Sequence, residues 1–207
     1  MTVLQQILKH QIVAIIRGAN PDAVVHIARA LNDGGIKILE ITMNSEDPLR
    51  VIKEVSDALG DKMVIGAGTV LDAQTARDAV AAGAKFILSP IVDEEVIKTA
   101  KSLGVVSIPG AYTATEIFKA HRLGGDIIKV FPATSASYIK DMRGPLPHIP
   151  LLPTGGITPQ NIIEFKKAGA VGFGIGSALV NTKEVITPEY LLQLTEKARA
   201  FTLGLNI

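Results

Sequence analysis

The chain has 207 residues, 47% of them hydrophobic, and its 21 basic and 20 acidic residues leave a net charge of +1. That length suits one large core, and the charge balance, with no basic tract interleaved with aromatics, speaks against a disordered chain and against nucleic-acid binding. There is no cysteine for a disulfide or thiolate metal site, the apolar stretches 11–18 and 63–71 are too short to cross a bilayer, and "MTVLQQILKH" is a poor signal peptide, so a cytoplasmic protein without membrane contact is expected.

In chain order, short β-branched runs alternate with amphipathic segments. Strands are predicted at 12–17, 36–42, 63–68, 85–89, 105–109, 126–131, 149–154 and 171–176. Helices are predicted at 22–33, 47–59, 73–82, 93–103, 113–123, 136–143, 159–168 and 188–201, and the first ten residues form a short helix of their own. Glycines 35, 60, 83, 104, 124 and 169 stand where helices should stop, and Thr158–Pro159 and Thr187–Pro188 read as N-cap followed by first helical residue. The pattern predicts a single domain over 1–207, a (β/α)8 barrel whose N-terminal helix covers the bottom mouth. An open doubly wound sheet is the alternative.

In such a barrel the active site lies at the C-terminal ends of the strands. Lys37 and Lys85 open their strands and read as solvated bottom-face residues. Lys129, in "DIIKVFP", lies near a strand's end amid apolar neighbours, on a face expected to hold Ile127, Lys129 and Phe131. Burying an ammonium is costly, so this lysine is either half of an ion pair or kept for chemistry. Glu40, in "IKILEIT", has the same character, on the face of Ile38 and Thr42. Together they are the minimum kit for Schiff-base chemistry: an amine that attacks a ketone and a carboxyl group that moves protons.

The last two strands end in glycine-rich turns, "PTGGIT" and "FGIGSA". Glycines let backbone N–H groups approach an anion, and barrels of this kind hold phosphate in these loops. Gly155, Gly156, Gly176 and Ser177 are therefore the candidate phosphate cradle. Arg17, at the end of the first strand, is a second anion contact or else a surface arginine. Thr69, in "GAGTV", could serve a substrate carboxylate, whereas Thr113 with Glu116 reads as a capping box. The four histidines show no metal-ligand spacing, so no metal and no cofactor are expected.

The segments "LEIT", "GAGTV", "LSP", "IPG", "IKVFPA", "RGPLPHI" and "PTGGI", in this order along nearly the whole chain, resemble the 2-keto-3-deoxy-6-phosphogluconate and 4-hydroxy-2-oxoglutarate aldolases and the related phosphogalactonate enzyme. The resemblance implies a homotrimeric class I aldolase acting on a keto-acid phosphate. It also implies that Lys129 forms the Schiff base, Glu40 is the acid/base and Thr69 helps bind the pyruvyl part. Several positions depart from the gluconate pattern or divide the subfamilies, among them Ile91 in "LSPIVD", where the gluconate type commonly has a glycine. Asn44 stands where the gluconate members carry an arginine, which shifts the carboxylate anchor towards Arg17. "MNS" and "YTATE" look like the galactonate type, whereas Thr154 in "PTGG" looks like the gluconate type. Asn44, Thr154 and Phe131 thus join the expected substrate-binding residues. The alternatives to the gluconate aldolase are 2-keto-3-deoxy-6-phosphogalactonate or unphosphorylated 4-hydroxy-2-oxoglutarate as main substrate, or a catalytically silent phosphometabolite-binding protein.

Overall fold

The computed structural model describes residues 1–205. It opens with helix α1 (Val3–His10), where Thr2 Oγ1 accepts from the Gln5 N–H and Gln5 Oε1 accepts from the Thr2 N–H. Parallel strands and helices then alternate: β1 (Ile12–Ile16), α2 (Val24–Asp33), β2 (Ile38–Thr42), α3 (Pro48–Leu59), β3 (Val64–Gly68), α4 (Ala73–Ala81), β4 (Phe86–Leu88) and α5 (Glu94–Ser102). The chain continues through β5 (Val106–Ile108), β6 (Gly110–Ala111), α6 (Ala114–Arg122), β7 (Ile128–Val130), α7 (Ala136–Arg143), β8 (Leu151–Pro153), α8 (Ile162–Lys167), β9 (Phe173–Ile175) and α9 (Pro188–Leu205). Among the described residues, no helix is long and apolar enough to cross a membrane.

The strands form a curled parallel sheet of six, in the order β5-β4-β3-β2-β1-β9, and a second sheet of three, β6-β7-β8. The expected α/β alternation with parallel strands is present, but not as one uninterrupted eight-stranded ladder. The break falls in the predicted fifth strand, at Pro109, which has no N–H to donate. Before it, β5 pairs with β4; after it, β6 pairs with β7. The Pro109 carbonyl still accepts from the Lys129 N–H at 2.9 Å. At the other edges the two sheets meet in a single bridge between Thr154 and Gly174.

Alternation along the strands divides the core into two clusters. One, facing the helices, takes Ile12, Ala14 and Ile16 from β1 and Leu39 and Ile41 from β2. The other takes Val13, Ile38, Val64, Phe86, Val106 and Leu152 from strands of both sheets, with Ile127 just before β7. Ile7 of α1 is fully buried in this second cluster, which puts the N-terminal helix where the sequence placed it, against the strands' beginnings. Strand register then sets the next layer: Ile38 lies between Val13 and Val64, and two residues on, Glu40 lies between Ile15 and Gly66. Glu40 and Lys129 thus stand one step above Ile38 and Ile127, towards the strands' C-terminal ends.

One helix begins later than its Thr-Pro signal predicts. The Asn161 side chain accepts from the Thr158 N–H at 2.8 Å, so residues 158–161 form a turn and α8 starts at Ile162. Pro188, by contrast, does open α9, with Thr187 Oγ1 accepting from the Tyr190 N–H.

Candidate active site

Lys129 is in β7 and Glu40 in β2, and both are buried, Glu40 completely and Lys129 to 4% exposure. No ion pair within 4.0 Å joins them, so the purely structural reading of the two as a buried salt bridge is not realised. Lys129 Nζ instead stands 5.2 Å from the centre of the Phe131 ring, a cation–π arrangement. Neither carboxyl oxygen of Glu40 has a hydrogen-bond partner. Burial pushes the Glu40 carboxyl above its ordinary range, and the nearby positive charges of Lys129 and Arg17 oppose that rise without cancelling it. A carboxyl group so placed favours its protonated form.

The strand beside Glu40 makes room for it. A Cβ on Gly68, at the end of β3, would collide with the Glu40 carboxyl group, and one on Gly66 would run into the Phe86 ring. The glycines of "GAGTV" are therefore needed by packing, not merely by the turn that ends the strand. Gly68→Ala should lower stability by about 1–3 kcal/mol through overpacking against Glu40. Urea unfolding of the variant checks this, and an unchanged midpoint would mean that the carboxyl group has somewhere else to go.

Above this layer opens a cavity of about 340 Å³. Lys129, Phe131, Arg17 and Thr154 line it, as do Gly155, Gly156, Gly176 and Ser177. The strand-end lysine and both glycine loops thus share one space. Gly155 and Gly156 have φ of 92° and 69°, a left-handed backbone that needs glycine, and Asn161 Nδ2 donates to the Gly156 carbonyl at 2.8 Å. At Gly176 φ is ordinary and a Cβ would meet only Ile15, at 3.9 Å, so the missing side chain leaves cavity volume free. Thr154 Oγ1 is buried without a partner, packed where a Cβ on Gly174 would touch it.

Three expected site residues do not line this cavity. Glu40 lies wholly beneath the surface, Thr69 is half-buried at the end of β3, and Asn44 is exposed in the turn after β2. Thr69 has φ of 57°, a rare conformation for a β-branched residue that costs on the order of 1–3 kcal/mol and concentrates at functional sites. Phe131 departs from its expected place: it lies beyond the end of β7 and is 42% exposed, so it forms part of the cavity wall and not of the interior layer. Thr182, which lines the cavity and donates to the Arg17 carbonyl at 2.9 Å, escaped sequence reasoning. Among the described residues, no group of three or more His, Cys, Asp or Glu side chains could hold a metal ion.

Comparison with known proteins gives one consistent picture. Residues 3–193 match the family model described as "Aldolase: KDPG and KHG aldolase", the abbreviations standing for the phosphogluconate and hydroxy-oxoglutarate keto acids. The 2-dehydro-3-deoxy-6-phosphogalactonate aldolase of Escherichia coli K12 is 37% identical over 174 residues, covering 83% of this chain and 85% of its own. The KHG/KDPG aldolase of the same organism is 32% identical over 203 residues, covering 95% and 92%. Among solved structures, the KDPG aldolase of Legionella pneumophila, with pyruvate captured at low pH as a covalent carbinolamine, superposes with a TM-score of 0.85. It is 27% identical, over 97% of this chain and 98% of that one.

Proposed function

The chain belongs to the KDPG and KHG aldolase family of lyases, and from that premise we propose that it is a class I aldolase using Lys129 as its Schiff-base nucleophile. The proposed reaction is reversible cleavage of 2-keto-3-deoxy-6-phosphogluconate into pyruvate and glyceraldehyde 3-phosphate. The observation that carries this reading is the pair Lys129 and Glu40, buried at strand ends without a salt bridge or hydrogen bond to occupy either.

Lys129 Nζ attacks the C2 ketone and forms a carbinolamine. Glu40, whose carboxyl group burial makes harder to ionise, gives a proton to the departing hydroxyl, and water leaves behind an iminium. That iminium accepts the electron pair of the breaking C3–C4 bond. The C4 hydroxyl proton passes through a water to the Glu40 carboxylate, which frees the aldehyde and leaves pyruvate on Lys129 as an enamine. Protonation at C3 and hydrolysis of the iminium then release pyruvate. Thr69 and Asn44 serve the carboxylate end, with Arg17 as its charged anchor in place of the arginine that Asn44 replaces. Gly155, Gly156, Gly176 and Ser177 take the phosphate. The same reading takes residues 1–207 as one domain in which the two sheets act as one (β/α)8 barrel, interrupted at Pro109 and held at the Thr154–Gly174 bridge. It makes the enzyme a cytoplasmic protein that needs no cofactor and, as the family resemblance suggests, a homotrimer.

The substrate's C4 configuration is where the supports diverge. Thr154, in the "PTGG" that resembles the gluconate type, favours the gluconate epimer, whereas Asn44 and the 37% identity to a phosphogalactonate aldolase favour the other. Comparing kcat/KM for the two phosphorylated epimers and for unphosphorylated 4-hydroxy-2-oxoglutarate decides among them. Ser177→Ala should raise KM for the phosphorylated substrate about 10-fold or more, the worth of a hydrogen bond to a charged group. An unchanged KM would favour the unphosphorylated keto acid, and tight phosphosugar binding without turnover by the parent enzyme would favour the silent binding protein.

A further inference from the structure

The peptide group between Arg17 and Gly18 is held at both of its poles by side chains from the segments that follow the strands on either side of β1. Its carbonyl, that of Arg17, accepts from Thr182 Oγ1 at 2.9 Å, and its N–H, that of Gly18, donates to Ser45 Oγ at 3.0 Å. Thr182 follows β9 and Ser45 follows β2, and the sheet order places β1 between those two strands. Each hydroxyl is itself anchored. Ser45 Oγ lies 2.9 Å from Thr42 Oγ1, which is fully buried at the end of β2. Asn181, just before Thr182, has both its N–H and its carbonyl bound to the Tyr190 hydroxyl of α9, at 3.1 Å each. Gly18 has φ of 66° and open space where a Cβ would stand, so no neighbouring side chain packs against it there. The two hydroxyls bond the peptide at its poles.

We propose that Ser45 and Thr182 are positioning residues that fix the Arg17–Gly18 peptide plane and thereby aim the Arg17 guanidinium at the substrate carboxylate. Arg17 is an exposed residue with a long side chain, and it makes none of the ion pairs found among the described residues. A flexible cation of that kind binds weakly unless its root is held, because ordering it costs entropy each time a ligand arrives. Pinning both poles of one peptide group fixes ψ of Arg17 and φ of Gly18 beforehand. The clamp also ties the loops after β2 and β9, which carry Asn44 and Ser177, to the same point.

The inference rests on the reading of Arg17 as the carboxylate anchor, and the test separates the two. Borohydride trapping of pyruvate is followed against pyruvate concentration in the full-length parent and in Ser45→Ala, Thr182→Val and Arg17→Gln. Pyruvate carries the carboxylate but no phosphate. Thr182→Val and Ser45→Ala should each raise the half-saturating pyruvate concentration about 3- to 10-fold, leaving the trapping rate at saturation unchanged. Ser45→Thr and Thr182→Ser, which keep the hydroxyls, should restore the parent value. In the Arg17→Gln background Thr182→Val should add nothing, since it acts through Arg17. If Arg17→Gln weakens pyruvate binding while the two hydroxyl variants do not, or if Thr182→Val adds its full effect to Arg17→Gln, the clamp is overturned and the anchor stands. If Arg17→Gln itself leaves pyruvate binding unchanged, the anchor fails and the clamp with it.

Discussion

Replacing Lys129 with methionine is expected to abolish the borohydride-stable pyruvate adduct and to lower kcat/KM by on the order of 10⁴-fold or more, as removal of a covalent nucleophile does. The fold should survive the change. Lys129 has no salt-bridge partner to strand, and its stem lies among apolar neighbours, so an unbranched thioether of similar length fills the space. The charge it removes is one of the two that restrain the rise of the Glu40 carboxyl group, so Glu40 should hold its proton still more firmly in the variant. Peptide mapping after reduction is the decisive readout. The mass of a reduced pyruvate should sit on the peptide containing Lys129 in the parent and on no peptide in the variant. An adduct that survives in Lys129→Met would place the nucleophile elsewhere. A folded parent that binds pyruvate and yields no adduct would end the class I mechanism.

Why Lys129 and Glu40 were legible in the sequence, and Thr182 was not, has a physical explanation. Strand alternation is a local rule of period two, and it places a polar residue on the interior face from its immediate neighbours alone. Ile38 and Ile127 fix where Glu40 and Lys129 point before any tertiary contact is known. The glycine loops were legible for a related reason, since a left-handed φ such as that of Gly155 selects its residue locally. The Thr182–Arg17 hydrogen bond joins residues 165 apart in sequence, and no local pattern marks either end. The need for glycine at 68 was hidden in the same way, because it comes from a side chain on the neighbouring strand. Pro109 lies between these cases. A proline within a strand signals lost ladder bonds, but that β5 and β6 would pair with different neighbours on its two sides appears only in three dimensions. Phe131 shows the rule's limit: alternation ceases to place a side chain once the strand has ended, and here it ends at Val130.

Glu40→Gln should separate what the carboxyl group does for the reaction from what it costs the fold. Glutamine keeps the size but can neither give nor take a proton, so kcat should fall about 10²- to 10⁴-fold. Stability should change in the opposite direction at neutral pH. The folded-state pKa of Glu40 is raised, so between the ordinary glutamate value and that raised value the native protein holds a proton that the unfolded chain has released. Across that window the native state binds more protons than the unfolded state, and stability therefore declines as pH rises through it. Below the ordinary value both states are protonated and the effect vanishes; above the raised value the full penalty of a buried, unpartnered carboxylate is present. Glutamine has no such titration, so Glu40→Gln should match the parent at low pH and exceed it progressively as pH rises. Urea unfolding of both proteins across pH, in the absence of substrate, measures this directly. Parallel stability curves would mean that Glu40 titrates in the fold as it does in the unfolded chain. A residue held unpartnered in the core at a cost to stability would then lose its physical reason to carry the proton that expels water from the carbinolamine.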